Sequence, residues 1–173
     1  MKPLRIGIVG LLLASAGVPA LAERIQVLFQ LRNWVVEGVT SDDGSYSCHA
    51  KVALLGDSFS IKLLADRTIR LEFYSEEWDF GEGDTAVIEV EVDALAPRTF
   101  SGATLLQSSV FVDLPDPADS AKLMEQVARG GNLHLRTADG TAVRTYSLSG
   151  SRSAISNLDK CDQRIVPDRN PFN

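Results

Sequence analysis

Few residues in this chain are of a type and spacing that could do chemistry. Ser58 follows Gly56-Asp57 at the close of the apolar run Val52-Ala53-Leu54-Leu55. A serine leaving a strand can act as a nucleophile when a histidine takes its proton and nearby donors hold the oxyanion. The two histidines stand apart. His49 alternates with Cys48 and Ala50, and His134 lies between Leu133 and Leu135, so both are expected to point away from a core. Carboxylates pair at Glu76-Glu77, Glu89/Glu91 and Asp42-Asp43. Paired acids do glycosidase-like work only across a cleft that splits their pKa values. Glu89 and Glu91 instead share the solvent face of one strand, and Asp42-Asp43-Gly44 reads as a turn. Cys48 and Cys161 have no His or Cys partner at ligand spacing, and no acidic loop has EF-hand spacing. The sequence implies no catalytic constellation, no metal and no cofactor.

Binding is the other chemistry on offer. Trp34, Tyr74, Trp78, Phe80 and Tyr146 could form an aromatic patch if they stand on the outer face of a sheet. The same residues could instead fill a core edge and pair strands.

The N-terminus narrows the compartment. Lys2 and Arg5 precede an apolar run from Ile6 to Ala16, and the triplet Ala20-Leu21-Ala22 closes the segment. This is the layout of a secretory leader over residues 1–22. The run is shorter than the roughly 20 residues a bilayer span needs. With the leader go two bases and no acid, so the formal net charge moves from −6 to −8. That balance argues against nucleic acid and anionic membranes as partners, and no membrane insertion is expected after leader removal. Two cysteines in an exported chain imply one bridge, here closing a loop of more than a hundred residues.

The elements that must position these residues are mostly strands. Ile25, Val27 and Phe29 alternate with polar neighbours, and Trp34 and Val36 continue that strand or begin another. Cys48, Ala50, Val52 and Leu54 share one face, and Gly56-Asp57 reads as a tight hairpin turn. Phe59-Ile61-Leu63, Ile69-Leu71-Phe73 and Ile88-Val90-Val92 alternate likewise, with Gly81-Glu82-Gly83-Asp84 as a turn before the last. Phe100 to Leu105, Ser109 to Leu114, Leu133-Leu135 and Val143 to Leu148 add further strands. Short connections favour an antiparallel meander. Two helices interrupt it. Asp116 can cap the first, with Pro117 in its first turn and Gly130-Gly131 as its stop. The second starts near Ser151, with Ala154, Ile155, Leu158 and Cys161 on one face. A Cys48–Cys161 bridge would staple that helix to the sheet.

Two local resemblances bear on function. Gly56-Asp57-Ser58, after its apolar run, resembles the nucleophile block of the GDSL-type hydrolases. Those enzymes carry a late Asp-x-x-His, and neither histidine here has an aspartate three residues before it. The segment Tyr146-Ser147-Leu148-Ser149-Gly150-Ser151, followed by Ala154-Ile155, Leu158 and Cys161, resembles the close of small exported proteins of alphaproteobacteria of the invasion-associated locus B type. That resemblance implies a β-rich periplasmic or secreted protein tied to host interaction.

The expectation is therefore a single β-rich α+β domain over residues 23–161 and an extended tail over 162–173. It is an antiparallel sheet or sandwich of about eight to ten strands with two short helices. It would be a non-catalytic, exported cell-envelope protein that binds another protein or an envelope component. The alternative is a small periplasmic hydrolase built on Ser58.

Overall fold

The computed structural model describes residues 23–165, with side chains through Gln163. The expected leader at 1–22 and the segment 166–173 lie outside the described residues. Ten strands and two helices follow one another as β1 (Arg24–Leu31), β2 (Trp34–Thr40), β3 (Tyr46–Leu54), β4 (Asp57–Leu63), β5 (Ile69–Ser75), β6 (Phe80–Val92), β7 (Arg98–Gln107), β8 (Ser109–Leu114), α1 (Pro117–Arg129), β9 (Asn132–Thr137), β10 (Ala142–Ser147) and α2 (Ser151–Ile165). The fold is β-rich α+β, as expected. The helix α2 runs through Ile165, so residues 162–165 are helical rather than part of an extended tail. No described helix is long and apolar enough to cross a membrane.

All strands belong to one antiparallel sheet, in the order β1-β2-β3-β4-β5-β8-β7-β6-β9-β10. The first five form the expected meander. After β5 the chain skips outward, returns through two hairpins to set β8 against β5, and then lays β9 on the outer side of β6. Alternation fixes which face a strand buries but not which strand it neighbours. The sheet curls over its own inner face. Tyr146 of β10 packs on Phe59 of β4 and Phe73 of β5, with ring centroids 5.8 and 5.9 Å apart. Phe59 in turn stacks on Phe73 at 5.2 Å and meets the edge of Trp34 at 6.2 Å. The inward rows Cys48-Ala50-Val52, Phe59-Ile61, Leu71-Phe73 and Ile88-Val90-Val92 complete this core. Each Val, Leu, Ile and Phe side chain among them contributes about 1.5–3 kcal/mol by leaving water.

Two strands depart from simple alternation. In β1 the register shifts between Val27 and Phe29, so Phe29 and Leu31 align with the inward Val36 and Trp34. A bulge flips the preceding residues to the other face. Ile25 and Val27 are consequently exposed, on the opposite face from that of Phe29. The segment Gly81-Glu82-Gly83-Asp84 is not a turn before a strand. It lies inside β6, where the pairing with β7 jumps from Phe80 to Asp84.

The helices close the structure where the sequence places them. Asp116 accepts from the amides of Ala118 and Asp119 at 2.8 and 2.9 Å, capping α1. Ser151 donates its hydroxyl to the Val127 carbonyl at 2.7 Å, tying the start of α2 to the end of α1. At the other end of α2, Cys161 is bonded to Cys48 of β3, with Cα atoms 6.0 Å apart. Gly38, opposite Cys48 on β2, makes room for this joint. A Cβ there would stand 1.7 Å from the Tyr46 hydroxyl, which itself lies 3.7 Å from the Cys161 sulfur.

Candidate functional site: the β3–β4 hairpin end

At one end of the sheet the β3–β4 hairpin projects past the core. Leu54 pairs with Asp57, so the two turn residues are Leu55 and Gly56 rather than the expected Gly56-Asp57. Both have positive φ, 42° at Leu55 and 86° at Gly56. Two-residue hairpin turns favour positive φ because it matches strand twist, and Asn-Gly is the usual solution. Leucine at the first position is strained by its Cβ, a conformation that costs an L-residue roughly 1–2 kcal/mol. The side chain gains nothing in return from packing, since Leu55 is 98 % exposed. Leu54 beside it is 56 % exposed. Ala53 and Tyr74 continue the surface along the outer face, with Lys51 and Glu76 at its margin.

A charged hub braces the hairpin from behind. Asp57, the first residue of β4, forms an ion pair with Arg144 of β10, a carboxylate oxygen 2.9 Å from Nε. The same guanidinium bonds Glu77 and donates to the Ser75 hydroxyl at 3.1 Å. It also lies over the Trp78 ring, 5.5 Å from its centroid, and Trp78 packs on Phe80 at 5.6 Å. The amide of Glu76 donates to the Gly56 carbonyl at 3.0 Å, fastening the turn to the segment after β5. Arg144 thus joins three parts of the chain that are far apart in sequence. The tip is an apolar knob on a fixed mount, with the exposed carboxylates of Glu76 and Glu77 beside it.

The five aromatics expected as a surface patch divide. Trp34 is fully buried and Tyr146 nearly so, and both belong to the core. Trp34 lies inward beside Val52, and the curl of the sheet brings Tyr146 against Phe59 and Phe73, so neither faces solvent. Burial raises the Tyr146 hydroxyl well above the ordinary tyrosine pKa. Tyr74, Trp78 and Phe80 are half-buried and lie around the mount of the hairpin. Sequence reasoning missed Leu54 and Leu55 themselves. The signal was present in Ala53-Leu54-Leu55, three apolar residues in a row where alternation asks for one.

The serine does not sit in a nucleophile's surroundings. Ser58 is a strand residue, buried on β4 between Ala53 and Tyr74, and not a turn residue. His49 pairs across from Lys62, four residues further along β4, which is about 13 Å of strand. Its Nε2 contacts the Ser47 hydroxyl at 2.9 Å. Burial, helped by the Lys62 charge, pushes His49 down from 6.5 to about 4. His134 of β9 contacts Thr145 of β10 through Nδ1 at 2.9 Å. Among the described residues no three His, Cys, Asp or Glu side chains come together as a metal-binding group. No protein-family model, curated protein or solved structure matches this chain.

Proposed function

We propose that this is an exported cell-envelope protein that binds another protein, and that the β3–β4 hairpin tip is its contact point. The observation that carries the reading is Leu55. A side chain held in a strained conformation and left 98 % exposed contributes nothing to the fold that asparagine would not supply better. An apolar side chain so presented gains only by entering a partner's socket, where burial returns about 1.5–3 kcal/mol. The Arg144 hub supports the same reading, because a tip fixed in advance loses little freedom on binding. The carboxylates of Glu76 and Glu77 favour a socket with a basic rim. Export is supported by the leader-like N-terminus and by the Cys48–Cys161 bridge, which belongs to oxidising compartments. The C-terminal resemblance to invasion-associated locus B-type proteins points the same way.

The test is a crosslinking pull-down from the native envelope with wild type and Leu55→Asp side by side. A protein retained by wild type and lost with Leu55→Asp, at thermal stability equal to or above that of wild type, is the expected result. A partner retained equally by both would remove the tip from the account. Hydrolysis of ester substrates that disappears in Ser58→Ala would replace the binding reading with a catalytic one.

A further inference from the structure

The two edges of the sheet differ, and we propose that the open one, the first half of β1, pairs antiparallel with the same segment of a second copy of this chain. This surface is separate from the hairpin tip. Strand β10 ends the sheet on one side and carries features that keep an edge from pairing. It is six residues long, its register shifts between Ala142 and Arg144, and the Arg144 charge is turned onto Asp57 and Glu77. Strand β1 ends the sheet on the other side. It is eight residues long and holds no proline and no lysine. Its bulge comes after Val27, so Arg24 to Val27 run in unbroken register along β2. The end of β1 beyond the bulge is covered. There the Arg32 guanidinium bonds the Ser149 hydroxyl, and the Leu31 carbonyl lies 3.4 Å from where a Cβ on Gly150 would stand. The first half is not. Arg24, Ile25, Gln26 and Val27 are exposed in succession, Ile25 at 58 % and Val27 at 57 %. They pair with β2 on one side and with no described strand on the other.

An unpaired edge presents N–H and C=O groups that only another extended strand matches. Side chains and charge select a second copy as the source of that strand. A two-fold axis through Gln26 sets Ile25 opposite the second copy's Val27, and Val27 opposite its Ile25, all on one face of the joined sheet. Gln26 meets its own mate on the other face, where each side-chain amide both donates and accepts. Arg24 falls opposite Leu28, so no like charges meet across the pair. The two Arg24 side chains lie four residues apart, about 14 Å along the strand and beyond the ~8 Å screening length of physiological salt. The chain as a whole is acidic, so two copies repel over most of their surface. From Arg24 to Leu31 there is no acid, and this edge is where they meet without that repulsion. A contact about 17 Å long and one strand wide stays below the ~1,200 Å² of a stable complex. The dimer is therefore weak, with a dissociation constant of about 10 µM or above.

Sedimentation velocity on the purified exported protein, from about 5 µM to about 1 mM, reads the association. The expected result is a monomer–dimer equilibrium in wild type, weakened about tenfold or more in Ile25→Lys with the melting temperature unchanged. Val27→Lys serves if Ile25→Lys fails to fold, and Leu55→Asp should dimerise like wild type. Gln26→Cys reads the register. Across the axis its Cα atoms stand about 4.5–5.5 Å apart, inside the about 4.4–6.8 Å that a disulfide spans. Mild oxidation should give a disulfide-linked dimer from Gln26→Cys and none from Ser156→Cys, at an exposed position of α2. A monomer at every concentration would assign the edge to a strand of another protein and overturn the proposal. A dimer left intact by the folded lysine variant, or equal crosslinking from both cysteines, would overturn it as well.

Discussion

Leu55 is the residue at which fold and proposed function pull in opposite directions. Replacing it with asparagine supplies the usual hairpin pair Asn-Gly and relieves a positive φ that leucine tolerates poorly. Leu55→Asn is expected to stabilise the protein by about 1 kcal/mol in a urea melt. A residue kept only for the fold would show the reverse. His49 gives a second residue-scale prediction. Burial is the main cause of its low pKa, with Lys62 next, while Glu72 opposes them and Lys51 adds a little. Its neighbour across β2 is Glu37. The folded pKa of about 4 lies below the unfolded 6.5, so the unfolded chain binds the extra proton between these values. Stability from this group is full above pH 6.5 and falls as the pH drops toward 4. At pH 5 the loss should be about 2 kcal/mol relative to pH 7. His49→Gln should flatten that part of the profile, and an unchanged slope would show that His49 is not the group responsible.

Elements were legible in the sequence wherever a local rule acts alone. The start of α1 follows from Asp116 and Pro117, and the inward faces of β3, β4 and β5 follow from alternation. The exposure of Ile25 and Val27 did not follow, because the bulge that flips them is set by pairing with β2 and leaves no mark in β1 itself. The hairpin turn lies one residue before the Gly56-Asp57 that the sequence suggests, for a related reason. Gly56 is the second turn residue, and a leucine in the first place is what turn chemistry argues against. The candidate site was legible only at its margins: Tyr74, Trp78 and Phe80 were singled out, but the tip they surround was not. The pairing of Cys48 with Cys161 was legible, since both fall on apolar faces and no other cysteine competes. The bridge closes a separation of 113 residues. Cys161→Ser is expected to cost about 3–5 kcal/mol and to free the end of α2 before the sheet melts. Hydrogen exchange beside a denaturant melt checks this. Simultaneous loss of helix and sheet protection at unchanged stability would contradict it.

At the scale of the whole molecule, strand order was beyond the sequence. Each strand announces a buried face, but nothing local tells β8 to join β5 or β9 to join β6. The curl that brings β10 over β4 and β5 is equally silent, and it turns Tyr146 from a surface expectation into core. That same curl carries Arg144 to Asp57 and Glu77, so the mount of the hairpin tip is a product of the global topology. The central claim is that this tip is where the protein meets its partner. A photoactivatable residue placed at position 55 tests it most directly, with the same residue at the exposed position 156 on α2 as control. Irradiation of native envelope should give one discrete adduct from position 55 and none from 156. Adducts equal at both positions, or absent at 55 while present at 156, would contradict the account.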